Sequence, residues 1–200
     1  MSIFRELRNE CLIRELDREL NTDVLLFGFD GMTYFGNLQK VEDCRIAFLS
    51  PAIEAQSNVE ILSPGGEVVE VRFLQVDLWQ IVAKATGIRA NPFTSSEDCD
   101  SAHSMRTEVS QQITETSERQ ESHELICILR RMIGDNVVVT TLGGFIFEGI
   151  LGNVDDELAF ISVNEIFGPG NSSGISDNTV STAVVNLEAL TSVSRSAECC

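Results

Sequence analysis

The chain has 200 residues and a hydrophobic content of 43%, room for one medium domain or two small ones with real cores, which excludes wholesale disorder. Against 14 Lys and Arg stand 31 Asp and Glu, a formal charge of -17, so the basic excess that supplies most non-specific affinity for nucleic acid or anionic membrane is missing. The 6 Cys and 2 His lie too far apart for zinc-finger spacing, no C-x-x-C pair occurs and no apolar stretch approaches a membrane span; the expectation is a soluble cytoplasmic protein with neither metal nor cofactor.

In chain order, the first twenty positions carry a helical period with a divided face. Ile3, Phe4, Leu7 and Cys11 point opposite to Leu12, Ile13, Leu16 and Leu20, which predicts a helix that breaks near Asn9 or is packed on two sides. Strands are predicted at 23–29, 32–42, 45–51, 67–76 and 79–84, with Asp30-Gly31 as a hairpin dipeptide. Gly36, in the middle of the second of these, lets a long strand curl from one sheet face to another; a phosphate-cradling role is disfavoured, because it neither follows nucleotide-loop spacing nor opens a helix. From Arg89 to Ser122 the chain is rich in Ser, Thr, Glu and Gln and reads as a linker. A second helix follows, capped by Ser122, with Leu125, Ile126, Ile128, Leu129, Met132 and Ile133 on one face. Further strands are predicted at 136–141, 144–154, 158–165, 179–186 and 190–194, with Gly143-Gly144 as the hairpin dipeptide and Gly149 in the place of Gly36.

The two halves repeat one another. VLLFGFDGMTYFGNLQKVEDCRIAFL lies over VVVTTLGGFIFEGILGNVDDELAFIS, Val24 on Val137, without a gap, and FLQVDLWQIV from Phe73 lies over VVNLEALTSV from Val184, matching Asp77 with Glu188. The expected organisation is a first domain over 1–88, a disordered acidic linker over 89–121, a second domain over 122–195 and a Cys-containing tail over 196–200. These first three stretches, the last taken to residue 200, hold 8, 3 and 3 basic against 14, 7 and 10 acidic groups, so neither half hides a basic domain. A helix and five strands in so few residues point to a mainly β fold of two small, strongly bent barrels.

The order helix, strand, DG or GG turn, G-x-L-x-x-V-[DE], strand, variable loop, strand, short turn, strand resembles the Sm-like fold of Sm, LSm and Hfq proteins. Its carriers are Asp30, Gly31, Gly36, Leu38, Val41 and Glu42, and in the second half Gly144, Gly149, Leu151, Val154 and Asp155. The resemblance implies tandem five-stranded small barrels and, by the family's habit, binding of uridine-rich or adenine-rich RNA inside a ring. It also implies an Asn ten residues beyond the bending Gly, where this chain has Ile46 and Ala159, and a cationic signature between the last two strands, where it has Asp77 and Glu188. Carboxylates there repel phosphate. The leading reading is therefore a non-catalytic module that self-associates or docks other proteins through strand edges, with Phe73, Val184 and Val185 as contacts. The alternative is an RNA-binding regulator with an atypical pocket drawn from Asp30, Glu42, Asp155 and Asn186.

No catalytic set assembles from local spacing: His103 lies in the linker and His123 at the start of the second helix. Glu42-Asp43 and Asp155-Asp156-Glu157 are grouped carboxylates that suit a hard cation or, more simply, a polar turn. Cys11, Cys44 and Cys127 fall on helices or a strand start, where small buried side chains are common, whereas Cys199 and Cys200 end the chain as candidate crosslinking thiols.

Overall fold

The computed structural model describes residues 9–93, 120–155, 157–170, 175 and 179–196; the span 94–119, with His103, and the tail cysteines Cys199 and Cys200 lie outside the described residues. Helix α1 (Glu10–Asp17) precedes strands β1 (Asp23–Gly28), β2 (Thr33–Glu42), β3 (Ile46–Ser50), β4 (Val59–Leu62), β5 (Val68–Val71), β6 (Leu74–Asp77) and β7 (Ile81–Thr86). Helix α2 (Gln120–Arg130) precedes β8 (Asn136–Thr141), β9 (Ile146–Val154), β10 (Leu158–Phe167), β11 (Thr182–Asn186) and β12 (Leu190–Arg195). The fold is thus mainly antiparallel β with two short helices among the described residues. All strands belong to one sheet, in the order β12-β8-β9-β10-β11-β7-β1-β2-β3-β6, with β4 added to β2 and β5 to β4.

Each half follows the same path through this sheet. Val24 pairs with Gly36 and Leu25 with Phe35; Val137 pairs with Gly149 and Val138 with Glu148, each residue displaced by 113. Between the second and third strands a β-bulge recurs at the same place, skipping Gln39 in the first half and Gly152 in the second, where Asn164 is skipped as well. A second shared irregularity skips Val82 opposite β1 and Thr191 opposite β8. Strand β6 sets Val76 opposite Ala47 as β11, its counterpart, sets Val185 opposite Ala159.

These registers correct the alignment drawn from sequence. The β2–β3 turn is one residue longer than its counterpart, so Ala47 corresponds to Ala159, a displacement of 112 and not 113. In the last two strands the displacement is 109, matching Asp77 with Asn186 and not with Glu188, because Ile46 faces Asp77 as Leu158 faces Asn186. Each of these two residues accepts a hydrogen bond from the backbone of the single 3-10 turn that follows, Trp79 N to Asp77 and Glu188 N to Asn186.

The glycine predicted to bend the second strand sits where β2 changes partners. Residues 33–35 pair with β4, whereas Asn37 onwards pair with β3. A Cβ on Gly36 would lie 2.9 Å from the Ser50 carbonyl, and one on Gly149 would collide with the Ser162 carbonyl, so both positions exclude larger residues by close backbone approach.

Other expectations are revised. The strand predicted over 67–76 is two: β5 pairs with β4, the chain turns at Arg72-Phe73, and β6 pairs with β3. Period-2 alternation cannot reveal that one apolar run parts between different neighbours. The strand predicted over 179–186 begins at Thr182. Helix α2 begins two residues before Ser122, which removes Ser122 from the cap position. On its predicted apolar face Leu129 and Met132 are buried, but Ile128 and Ile133 are exposed. In α1, which starts directly after Asn9, Leu12, Ile13 and Leu16 are buried while Leu20 beyond it is exposed. Cys44 is exposed in the β2–β3 turn at φ 51, because the strand starts two residues later.

The apolar interior does not divide along the chain. One cluster joins Leu12, Leu16, Val24, Leu26 and Leu78 to Leu158 and Val184 of the second half. The other joins Val137, Phe145, Phe147 and Leu151 to Leu25, Phe27 and Val82 of the first. Strand β1 is consequently buried along its whole length on both faces. The Phe27 ring stands edge-on to Phe145 and to Phe147, with centroids 5.1 Å away in each case. Residues 89–93, at the start of the stretch read as linker, meet both halves: Arg89 N donates to the Thr179 carbonyl at 2.9 Å, and Phe93 packs against Phe35.

Candidate interaction edges and the clefts beside them

A strand junction joins the halves. Strand β7, the last of the first half, pairs with β11, the fourth of the second: Thr86 with Thr182, Ala85 with Ala183, Lys84 with Val184 and Ala83 with Val185. Val184 and Val185, expected at an exposed edge, are buried in this junction inside the chain.

Polar groups fasten it from above. Lys84 is only 1% exposed, yet its Nζ donates to the Glu15 carbonyl at 2.8 Å and meets Glu19 Oε1 at 3.2 Å. Burial drives its pKa below the usual lysine value, against the pull of Glu19. Asn9 donates from Nδ2 to the carbonyls of Leu78 (2.6 Å) and Ile81 (3.0 Å), and accepts at Oδ1 from Asn186 Nδ2 at 2.5 Å. Both amides are buried, and together they bridge the start of α1, the first half's 3-10 turn and the end of β11. Near the start of β7 the hairpin tips of the two halves also touch. Gly143 has φ 86, and a side chain there would strike the carbonyls of Gly28 and Phe29.

Three strands leave an edge open among the described residues: β12 and β6 at the ends of the sheet, and β5 outside β4. Phe73, just before β6, is 76% exposed. It lines a cleft of about 600 Å³ with Lys40, Phe48, Leu49, Leu74 and Gln75, so a largely apolar groove runs beside this edge. Near β5 a second cleft, of about 510 Å³, is polar and holds Glu60 and Glu70.

The remaining predicted site residues are not gathered into a pocket. Asp30 closes the β1–β2 turn by accepting from Met32 N at 3.0 Å. Glu42, at the far end of β2, pairs with Lys40 at 2.7 Å. Asp155 donates its backbone N–H to Leu158 O across the β9–β10 turn, and Asn186 is consumed by Asn9 and Glu188. Asp77 pairs with Arg45 at 3.0 Å, and that guanidinium also stands over the Trp79 ring.

The Cys11 thiol is pushed up, first by its hydrogen bond to Glu157 and then by burial, which leaves it a poor nucleophile. No group of three or more His, Cys, Asp or Glu among the described residues is placed to hold a metal ion. No helix among them is long and apolar enough to cross a membrane. A scan against protein-family models and a comparison with curated proteins both return no match.

Sequence reasoning overlooked Asn9, Lys84 and Glu60. The last two carried a signal, since each is a lone charge inside an apolar strand pattern, IVAKAT and VEIL.

Proposed function

We propose that the chain is a non-catalytic self-association module, two Sm-like small barrels in tandem whose open strand edges meet those of further copies head to tail. The observation that carries this reading is the β11·β7 junction. It uses the fourth strand of one half and the last strand of the other, and the strands left open at the ends of the sheet, β6 and β12, are the corresponding pair. Transferred by the displacement of 109 that relates these strands, the same register sets Leu74 opposite Ser194, Gln75 opposite Val193 and Val76 opposite Ser192 of the next copy. Phe73 then falls opposite Arg195, beside the apolar groove.

Such a contact is heterologous, and when the rotation closes it generates a ring from few chains. The recurrence of order, register and bulges supports descent of both halves from one unit. The carboxylates and the buried Asn186 where the family presents a base pocket count against RNA.

Native mass spectrometry with and without short oligo-U and oligo-A tests the reading. The expected result is a defined oligomer that ignores RNA and falls to single chains in Phe73→Lys, which sets a like charge against Arg195. A sub-micromolar RNA adduct at physiological salt, or a parent chain that stays single at tens of micromolar, overturns it.

A further inference from the structure

Strand β5 is an edge of a different kind from β6 and β12, because the head-to-tail register does not use it. Among the described residues it pairs with β4 alone, and Val68 and Val69 on it are 42% and 54% exposed. It carries neither Lys nor Pro, the residues that commonly protect an edge from pairing.

Beside it, Glu60 on β4 faces Glu70 on β5 as a register pair. Like charges directly opposite on antiparallel strands destabilise a sheet. One of these two is moreover removed from water, since Glu60 is 4% exposed. Amides hold both in place: Asn91 Nδ2 donates to Glu60 Oε1 at 2.7 Å and Asn58 Nδ2 to Glu70 Oε2 at 2.8 Å. Among the described residues no Lys or Arg forms an ion pair with either carboxylate. The pair borders the cleft of about 510 Å³, whose remaining polar groups, Gln56 and Ser57, add acceptors. A buried anion held in position and lacking a cation is a costly arrangement, and a cation supplied from outside would offset that cost.

We infer that β5 and this cleft form a docking site for an extended segment of another protein, which pairs along β5 and sets a lysine or arginine between Glu60 and Glu70. Backbone pairing along the edge supplies affinity, and the cleft supplies the choice of side chain. Charge favours a foreign partner over a second copy, because 14 basic residues against 31 acidic ones make this chain a poor source of basic strands. The inference extends the strand-edge reading to a separate edge and does not need ring closure.

Fluorescence anisotropy on the full chain tests it, with a labelled nine-residue peptide alternating Thr and Val around a central Lys. Replacing that Lys with Glu is expected to weaken binding at least tenfold, and so is Glu70→Lys, which fills the cleft with the chain's own cation. Glu70 is exposed, so its substitution leaves the fold in place, checked by an unchanged thermal midpoint. Equal binding of the two peptides, or parent-like binding by Glu70→Lys, overturns the inference. The titration is repeated on Phe73→Lys, where unchanged peptide affinity is expected whatever its oligomeric state; a failed ring therefore leaves this result readable. If Glu70→Lys instead dissolves the oligomer in native mass spectra, β5 contacts copies and the inference falls.

Discussion

Burial sets the protonation of Glu60. Its carboxyl is pushed above the ordinary value of 4.5, first by desolvation, while hydrogen bonds from Asn91 and Ser57 pull the other way. A carboxyl raised in the folded state binds protons more readily there than in the unfolded chain, so its contribution to stability grows as pH falls through the folded pKa towards 4.5. Glu60→Gln is therefore expected to be more stable than the parent at pH 7, with the difference shrinking towards pH 4.5, as thermal melts across pH will report. Sterics govern the bending glycines. Gly149→Ala drives a methyl into the Ser162 carbonyl and should cost about 1–3 kcal/mol in urea unfolding. The cost should be smaller for Gly36→Ala, where the nearest atom leaves 2.9 Å.

Among the elements, α1 is fastened to the sheet by Asn9 at its start and by Lys84 of β7. Asn186→Ala removes the donor that meets Asn9 Oδ1 and the acceptor that serves Glu188 N. It should cost about 1–3 kcal/mol, read as a lower urea midpoint with an unchanged slope, because buried polar groups lose their partners. This network also marks the limit of what the sequence discloses. The strands at 23–28, 33–42 and 46–50 were legible because apolar runs, a turn dipeptide and a mid-strand glycine agree there. The division of 67–76 was not, since β5 and β6 share one apolar run and differ only in which strand lies next to them. A side chain such as Asn9, bonded to residue 186 through space, has no local signature at all. Val184 and Val185 were expected at an exposed strand edge, but β7 of the same chain covers them.

At the scale of the whole molecule, both apolar clusters draw on both halves, so the halves should lose structure together. A single calorimetric transition is expected, and Phe27→Ala should lower it as a whole by removing about 3–5 kcal/mol of packing against Phe145 and Phe147. Two resolved transitions, with only one displaced by the substitution, would show instead that the halves unfold separately. Composition and pattern foretold a β-rich chain with an internal likeness, because periodicity is written locally. They were silent on the shared interior, which depends on where β1 lies between its own half and the other.

The proposed assembly rests on one register used twice, once within the chain and once between chains. In a chain whose Cys44, Cys99, Cys199 and Cys200 are Ser, the pair Gln75→Cys with Val193→Cys tests that register by oxidation. Residues directly opposite on antiparallel strands bring their Cβ atoms to about 4.5–5.5 Å, whereas a shift by one places them on opposite faces. Efficient intermolecular disulfides are expected for this pair and none for Gln75→Cys with Ser194→Cys. Crosslinking of both pairs alike, or of neither, would contradict that register.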